Sequence, residues 1–224
     1  MGMDTHFVQT TTAEPLVRRL VTTINSALAA GAPIAWFISG GSSIAIAVAA
    51  SKQITPGETR KNLRVLQIDE RYGPVGHSNS NWKQLIDAGF DGDGMVYRPV
   101  LHGLTLPLTV ETYLETVTDA LNNCRVRIGL LGIGPDGHTA GMLPGSTAAN
   151  ETKTLVVGYQ GPDFTRITMT APALTRLDLA LAYASGEPKR ATLAALRNDT
   201  PIVTQPAQAL KKAANWAVYS DVLA

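Results

Sequence analysis

Asp136 and His138 stand two residues apart in a stretch, Leu130 to Gly145, whose composition changes abruptly. An apolar run, Val126 to Leu131, enters it and reads as a buried strand. Gly132, Gly134, Gly137, Gly141, Pro135 and Pro144 then follow in quick succession. Glycine permits close backbone approach and positive φ, and proline fixes one φ, so the loop is stiff. It presents a carboxylate and an imidazole, groups that exchange protons near neutral pH, at the carboxyl end of a strand. In open parallel α/β sheets, ligands bind at that end.

Two earlier stretches add charge and donors. Leu63 to Ile68 is an apolar run ending in Asp69-Glu70-Arg71, and burying two acids and an arginine is costly unless they are paired or used. Arg71 offers a fork of donors suited to phosphate, while Asp69 could act as a base or hold Arg71. Ile34 to Ile38 runs into Ser39-Gly40-Gly41-Ser42-Ser43 and then a helical pattern, Ile44 to Ser51. Strand, Gly-Gly loop and helix N-terminus form an anion-binding arrangement through exposed N–H groups and the helix dipole. The lysine of a P-loop is missing. Gly132, Gly134 and Gly137 also satisfy G-x-G-x-x-G, but Pro144-Gly145 interrupts any following helix and Glu151 does not sit at a strand end, so NAD binding is not expected.

The elements that must position these residues read as strands alternating with helices. A helix spans Ala13 to Ala30, with Leu16, Leu20, Ile24 and Leu28 at every fourth position, Thr12 or Thr11 as its cap and Gly31 as its stop. Ser78 or Asn79 caps a short helix through Leu85, and Val110 to Leu121 is amphipathic. Further strands are expected at Met95–Val100, Lys153–Val157, Arg166–Thr170, Leu177–Tyr183 and Trp216–Tyr219, with a helix from about Ser185 to Leu196. The alternation predicts an α/β fold with a parallel sheet wound on both faces. The 224 residues show no repeat or linker, and a single domain over residues 1–224 is expected.

Composition narrows the function. A net charge of +1 offers no general attraction to nucleic acid or anionic membrane. Cys124, the single cysteine, rules out an intrachain disulfide and a Cys-rich metal site and points to a reducing, cytoplasmic compartment. The start, Met1 to His6, lacks the pattern of a signal peptide or a myristoylation site. The uncharged run from Leu20 to Ser51 is broken by Gly31, Pro33 and the Ser-Gly-Gly-Ser stretch into pieces too short to span a bilayer.

Three blocks in order, Ser39-Gly40-Gly41-Ser42, Asp69-Glu70-Arg71 with Ser78-Asn79, and Gly132 to Ala140 with Leu143-Pro144-Gly145, resemble the 6-phosphogluconolactonase family, related to glucosamine-6-phosphate isomerase/deaminase. The segments Arg166 to Thr170 and Gly186 to Lys189 resemble it too, so the likeness spans nearly the whole chain. The resemblance implies a Rossmann-like, doubly wound, mostly parallel sheet, no metal and no cofactor. It implies hydrolysis of 6-phospho-D-glucono-1,5-lactone, a small-molecule substrate, by a monomer without nucleic-acid or membrane partners. By position, His138 would be the general base and then return its proton to the ring oxygen. Asp136 would orient His138 or the substrate hydroxyls. Gly40, Gly41, Ser42, Arg71, Lys189 and Arg166 would hold the phosphate, with Asp69 beside them. The sequence departs from the family where Ser43-Ile44 replaces a Thr or Ser followed by Pro, where Gly141-Met142-Leu143 replaces Ser-Leu-Phe, and at Tyr72-Gly73. The deaminase branch has Phe-Asn-Glu-Pro after its Asp-Gly-His, and here no acid follows His138 closely, which favours the lactonase. A non-catalytic sugar-phosphate sensor is the remaining alternative; the short lead before the first helix holds no basic DNA-binding segment.

Overall fold

Ile34-Ala35-Trp36-Phe37-Ile38 is apolar at every position, so both faces of this strand require cover. The computed structural model, which describes residues 6–223, supplies it. The start of the chain, Met1 to His6, whose sequence lacks a signal-peptide or myristoylation pattern, lies outside those residues except for His6. In chain order come strand β1 (Phe7–Gln9), helix α1 (Glu14–Ala29), β2 (Ile34–Ile38), α2 (Ser42–Ser51), β3 (Leu63–Gln67) and β4 (Asp69–Arg71). Then follow α3 (Asn81–Asp87), β5 (Val96–Arg98), α4 (Leu106–Asn123), β6 (Val126–Leu131), α5 (Thr147–Asn150), β7 (Val156–Gln160) and β8 (Thr165–Met169). The chain closes with α6 (Ala171–Leu174), β9 (Leu179–Tyr183), α7 (Arg190–Leu196) and β10 (Trp216–Ser220). Short 3-10 segments lie at Glu58–Asn62, Glu187–Lys189 and Pro206–Lys212.

Seven strands form one sheet in the order β1-β10-β9-β6-β2-β3-β5, every neighbouring pair parallel. Ile34, Trp36 and Ile38 pack on one side with Leu16, Leu20, Ile24 and Leu28 of α1 and with α2. Ala35 and Phe37 pack on the other with Tyr113, Val117 and Leu121 of α4 and with Leu193 and Leu196 of α7. The α1 leucines are 0–2% exposed, and each fully buried aliphatic side chain of this size contributes roughly 1.5–3 kcal/mol. This is the Rossmann-like, doubly wound arrangement expected from the alternation. The uncharged run from Leu20 to Ser51 is the end of α1, β2 and α2, and among the described residues no helix is long and apolar enough to cross a membrane. The chain runs outward from β2 through β3 to β5, then returns to place β6 on the other side of β2. That reversal opens a crevice beyond the carboxyl ends of β2 and β6, the position where such sheets bind ligands.

The structure corrects the sequence reading at several points. Asp69-Glu70-Arg71, read as the charged end of the preceding strand, forms a strand of its own, β4, and β7 and β8 do not join the parallel sheet. They form a separate antiparallel sheet, β4-β8-β7. Ile68 joins the two sheets: its N–H donates to Ile38 O at 2.9 Å, and its carbonyl accepts from Met169 N–H at 2.8 Å. Register pairs Thr168 with Asp69 on one side and Val157 on the other, and Arg166 likewise with Arg71 and Tyr159. Cross-strand partners and i, i+2 neighbours share a face, so these six residues lie on one side of the small sheet. The opposite face, through Gly158 and Ile167, packs on α4; a Cβ at Gly158 would come within 2.6 Å of Val110 Cγ2. Helix α1 starts at Ala13 without a side-chain cap, Pro15 occupying its first turn, and Ser80 rather than Ser78 or Asn79 caps α3. The unread strand β1 is an edge strand of three residues, too short to show alternation.

Candidate active site

Three chain segments meet at the crevice between β2 and β6. Gly41, with φ +61, turns the chain from β2 into α2, which has no side-chain cap; Ser43 N–H donates to Gly40 O at 3.4 Å and Ile44 N–H to Gly41 O at 3.1 Å, and the positive end of the helix dipole faces the crevice. Gly40 is required by packing: a Cβ there would lie 2.1 Å from Asn81 Oδ1. Asn81 in turn donates through Nδ2 to Asp69 O and Oδ2, at 2.9 and 3.1 Å, while Ser39 Oγ donates to Asp69 Oδ1 at 2.8 Å. Both Asp69 oxygens are therefore engaged with the Gly-Gly loop and α3, and Asp69 does not pair with Arg71 as the sequence allowed.

After β6 no helix begins. Gly134 N–H donates to His138 O, and Gly137 N–H to Gly134 O, closing residues 134–138 into a tight turn with Gly137 at φ +86. A Cβ at Gly134 would fall 2.0 Å from His138 Nδ1 and 2.5 Å from Asp136 Oδ1, so the glycine makes room for the pair. Asp136 Oδ1 lies 2.6 Å from His138 Nδ1 and also accepts the His138 N–H at 3.1 Å. Burial pushes the Asp136 carboxyl up, but the His138 N–H and the imidazole's charge outweigh it and hold the group below the ordinary carboxylate value. Such a carboxylate holds the proton on Nδ1 and leaves Nε2 with its lone pair.

The cationic side comes from the small sheet and the start of α7. Arg71 donates through Nη1 to Asn79 O at 3.0 Å, and no carboxylate pairs with it among the described residues. Arg166, directly across the strand pair, is held at Nη2 by both Asp163 oxygens, at 2.7 and 2.9 Å. The Nε of each arginine is buried with no partner, and the Phe164 ring lies 5.4 Å from the Arg71 guanidinium and 5.7 Å from that of Arg166. Two like charges directly opposite on a sheet are unfavourable, and an anion between them relieves that. Lys189 donates through Nζ to Ile133 O; burial pushes its ammonium down, against the charge of Asp136.

Glu70, on the other face, is fully buried and caps α3 by accepting the N–H groups of Asn81 and Trp82, the Ser80 hydroxyl and the Arg71 N–H. Burial still raises its carboxyl above the ordinary value. Its role is architectural, and it does not line the crevice. Cys124 is buried, its thiol pushed up by burial, and does not line the crevice either.

The result is a cleft of about 190 Å³ lined by Gly40, Gly41, Ser42, Asp69, Arg71, His138, Arg166 and Lys189, with Ser39, Ala140 and residues 132–135. Of the residues given a catalytic or substrate-holding role in the sequence reading, Asp136 alone is not in its wall; it stands behind His138. Among the described residues no group of three or more His, Cys, Asp or Glu side chains is placed to hold a metal ion.

The sequence model of the glucosamine-6-phosphate isomerases/6-phosphogluconolactonase family matches residues 8–219. The chain belongs to this family. A 6-phosphogluconolactonase of Mycobacterium tuberculosis is 29% identical over 218 residues, covering 85% of this chain and 83% of that protein. The chloroplastic 6-phosphogluconolactonase 3 of Arabidopsis thaliana is 30% identical over 149 residues, 58% of this chain and 46% of that one. The matched stretch likewise takes in only 49% of a Chlamydia pneumoniae relative, so the chain spans about half the length of these two. The crystal structure of a 6-phosphogluconolactonase from Shewanella baltica superposes with a TM-score of 0.82 over 97% of this chain and 98% of that one, at 19% identity, a likeness of fold.

Against the family's usual Ser, Gly141 here is demanded by its surroundings: a Cβ would lie 2.8 Å from Thr168 Cβ and 3.3 Å from Asp69 Cβ. At the Ser43-Ile44 departure, Ser43 Oγ is buried with no hydrogen-bond partner. Sequence reading missed Ser39, Asn81, Tyr159 and Thr168. For Thr168 a signal existed, since alternation from Arg166 puts both on one face. Tyr159 carried none, because its neighbour in space is 18 residues away in the chain.

Proposed function

We propose that this chain hydrolyses 6-phospho-D-glucono-1,5-lactone to 6-phosphogluconate. The observation that carries this reading is that the imidazole backed by Asp136 and the carboxylate-free Arg71 line one small cleft. That geometry suits a substrate with a phosphate at one end and an electrophilic carbonyl at the other. In this reading Arg71, Arg166, Lys189 and the first N–H groups of α2 hold the phosphate. His138 Nε2 takes a proton from water as its oxygen attacks the lactone carbonyl. The tetrahedral intermediate collapses by breaking the bond to the ring oxygen, which receives the proton from His138. Asp136 keeps Nδ1 protonated and stabilises the transient imidazolium, an arrangement typically contributing about 10²–10⁴-fold. Binding energy from the phosphate positions the distant carbonyl.

Because the family also contains isomerases of an amino sugar phosphate, the test uses both substrates. Lactone generated fresh by glucose-6-phosphate dehydrogenase is supplied to the purified protein and its loss compared with the spontaneous rate; glucosamine-6-phosphate is assayed in parallel. Acceleration on the lactone alone is expected. Turnover of the amino sugar instead would transfer the base role to Asp69 and overturn the reading. Thermal stabilisation by 6-phosphogluconate with no turnover of either would indicate a sensor.

A further inference from the structure

We propose that Thr168 and Tyr159 are positioning residues that seat the His138 loop on the arginine-bearing face of the small sheet through the two backbone groups of Gly141; the kinetic consequence rests on the lactonase reading of the cleft. Gly141 N–H donates to Thr168 Oγ1 at 3.0 Å, and Gly141 O accepts the Tyr159 hydroxyl at 2.7 Å. Thr168 Oγ1 in turn donates to Met169 O at 2.8 Å, so its proton points away from Gly141 and a lone pair faces the Gly141 N–H. Thr168 is the cross-strand partner of Asp69, and Tyr159 that of Arg166, which pairs with Arg71. The seat and the arginines are therefore rows of one rigid face.

The loop has a second anchorage at its other end. Ala207 N–H donates to Gly137 O at 2.9 Å, and the Thr192 hydroxyl donates to Pro135 O. These contacts hold the turn to α7 and the Pro206–Lys212 segment, neither of which carries an arginine of the cleft. The Gly141 seat joins the imidazole's loop directly to the sheet face that carries Arg71. His138 and Gly141 are three residues apart, at most about 11 Å of chain, so displacement at one reaches the other. Between them Ala140 sits at φ +53, a left-handed conformation that a non-glycine residue holds only where its surroundings over-determine it. With a side chain at 141 excluded by Thr168 and Asp69, the glycine backbone lies close against the sheet.

The test compares Thr168→Val, Thr168→Ser and Tyr159→Phe with the unaltered protein. Valine keeps the shape but leaves the Gly141 N–H without an acceptor. Misplacing a catalytic group by about 1 Å costs up to about 10²-fold. We expect kcat to fall roughly tenfold in Thr168→Val and several-fold in Tyr159→Phe, with KM and the dissociation constant of 6-phosphogluconate within about twofold, and Thr168→Ser to restore kcat. A wild-type kcat in both variants, or a KM rising in step with kcat loss, would overturn the proposal. Amide hydrogen exchange by NMR is the second readout and needs no substrate. Gly141 and Ala140 amides should exchange faster in Thr168→Val while those of β2 and β6 keep their protection. If the unaltered protein shows no lactone hydrolysis, the lactonase reading fails, and unchanged exchange at Gly141 would sink the seat separately.

Discussion

The two sheets of this molecule use their side chains in opposite ways. In the seven-stranded sheet, side chains within the central strands are core: Trp36, Phe37, Ile128 and Leu130 are fully buried, and the cleft takes the loops beyond β2 and β6 and Lys189 beyond β9. In the three-stranded sheet, side chains within the strands are themselves cleft wall, with Asp69, Arg71 and Arg166 on one face. A parallel sheet covered on both faces has no free face to offer, so it presents a ligand with strand ends and helix N-termini. A small antiparallel sheet needs only one face on the core, and α4 supplies it beneath Gly158. The other face is left for chemistry, and Ile68, bonded to both sheets, fixes the angle between the two surfaces.

The sharpest way to break this comparison is to remove the group that the large sheet delivers. His138→Ala should lower kcat by about 10²–10⁴-fold while circular dichroism and 6-phosphogluconate binding stay as before. Near-native hydrolysis would remove the imidazole from the mechanism. Next in size, Leu20→Ala, in the packing of α1 against the large sheet, should cost about 2–5 kcal/mol in chemical denaturation, with KM unchanged. A KM that rose with the lost stability would show that the core of the large sheet is not insulated from the site.

On the small sheet, Arg71→Ala should raise KM by roughly ten- to a hundredfold, as expected for losing about 1.5–3 kcal/mol of charged hydrogen bonding. Arg166→Ala should do less, because its guanidinium is already committed to Asp163. Equal effects would mean that the two opposed arginines share the anion evenly. The smallest effect concerns pH. The Asp136 carboxyl lies below its ordinary 3.8 in the folded chain. Its contribution to stability is therefore complete above pH 3.8 and is lost as pH falls through the lower folded value. Thermal melts across this acid range should show a shallower loss in Asp136→Asn; identical slopes would detach the carboxylate from the turn it closes.

Much of the large sheet and its two loops was legible in the chain. The continuous apolar run of β2 and the mainly apolar runs of β3 and β6 marked these strands, and the glycines after β2 and β6 marked the cleft, because strand burial and positive φ are local demands on residue type. The small sheet was not legible. Three residues, Asp69-Glu70-Arg71, are too few to display a period, and charged residues after an apolar run read naturally as the end of that strand. The role of Asp69 was left open between base and holder of Arg71, and Ser39 and Asn81, 30 and 12 residues away, decide its bonds. Glu70, adjacent to both and of the same chemistry, faces the other way and caps a helix.

By itself, then, the sequence determined which residue types stand at the ends of buried strands, hence the fold class, and its motif blocks carried the resemblance to the family. The fold class follows from burial and backbone freedom, which act over a few residues at a time. The tertiary structure alone decided that Arg71 and Arg166 lie side by side, that Gly141 rests on Thr168 and Tyr159, and that His138 faces the same space as the arginines. These relations depend on strand register and on the angle between two sheets, and both are set by contacts between segments tens of residues apart.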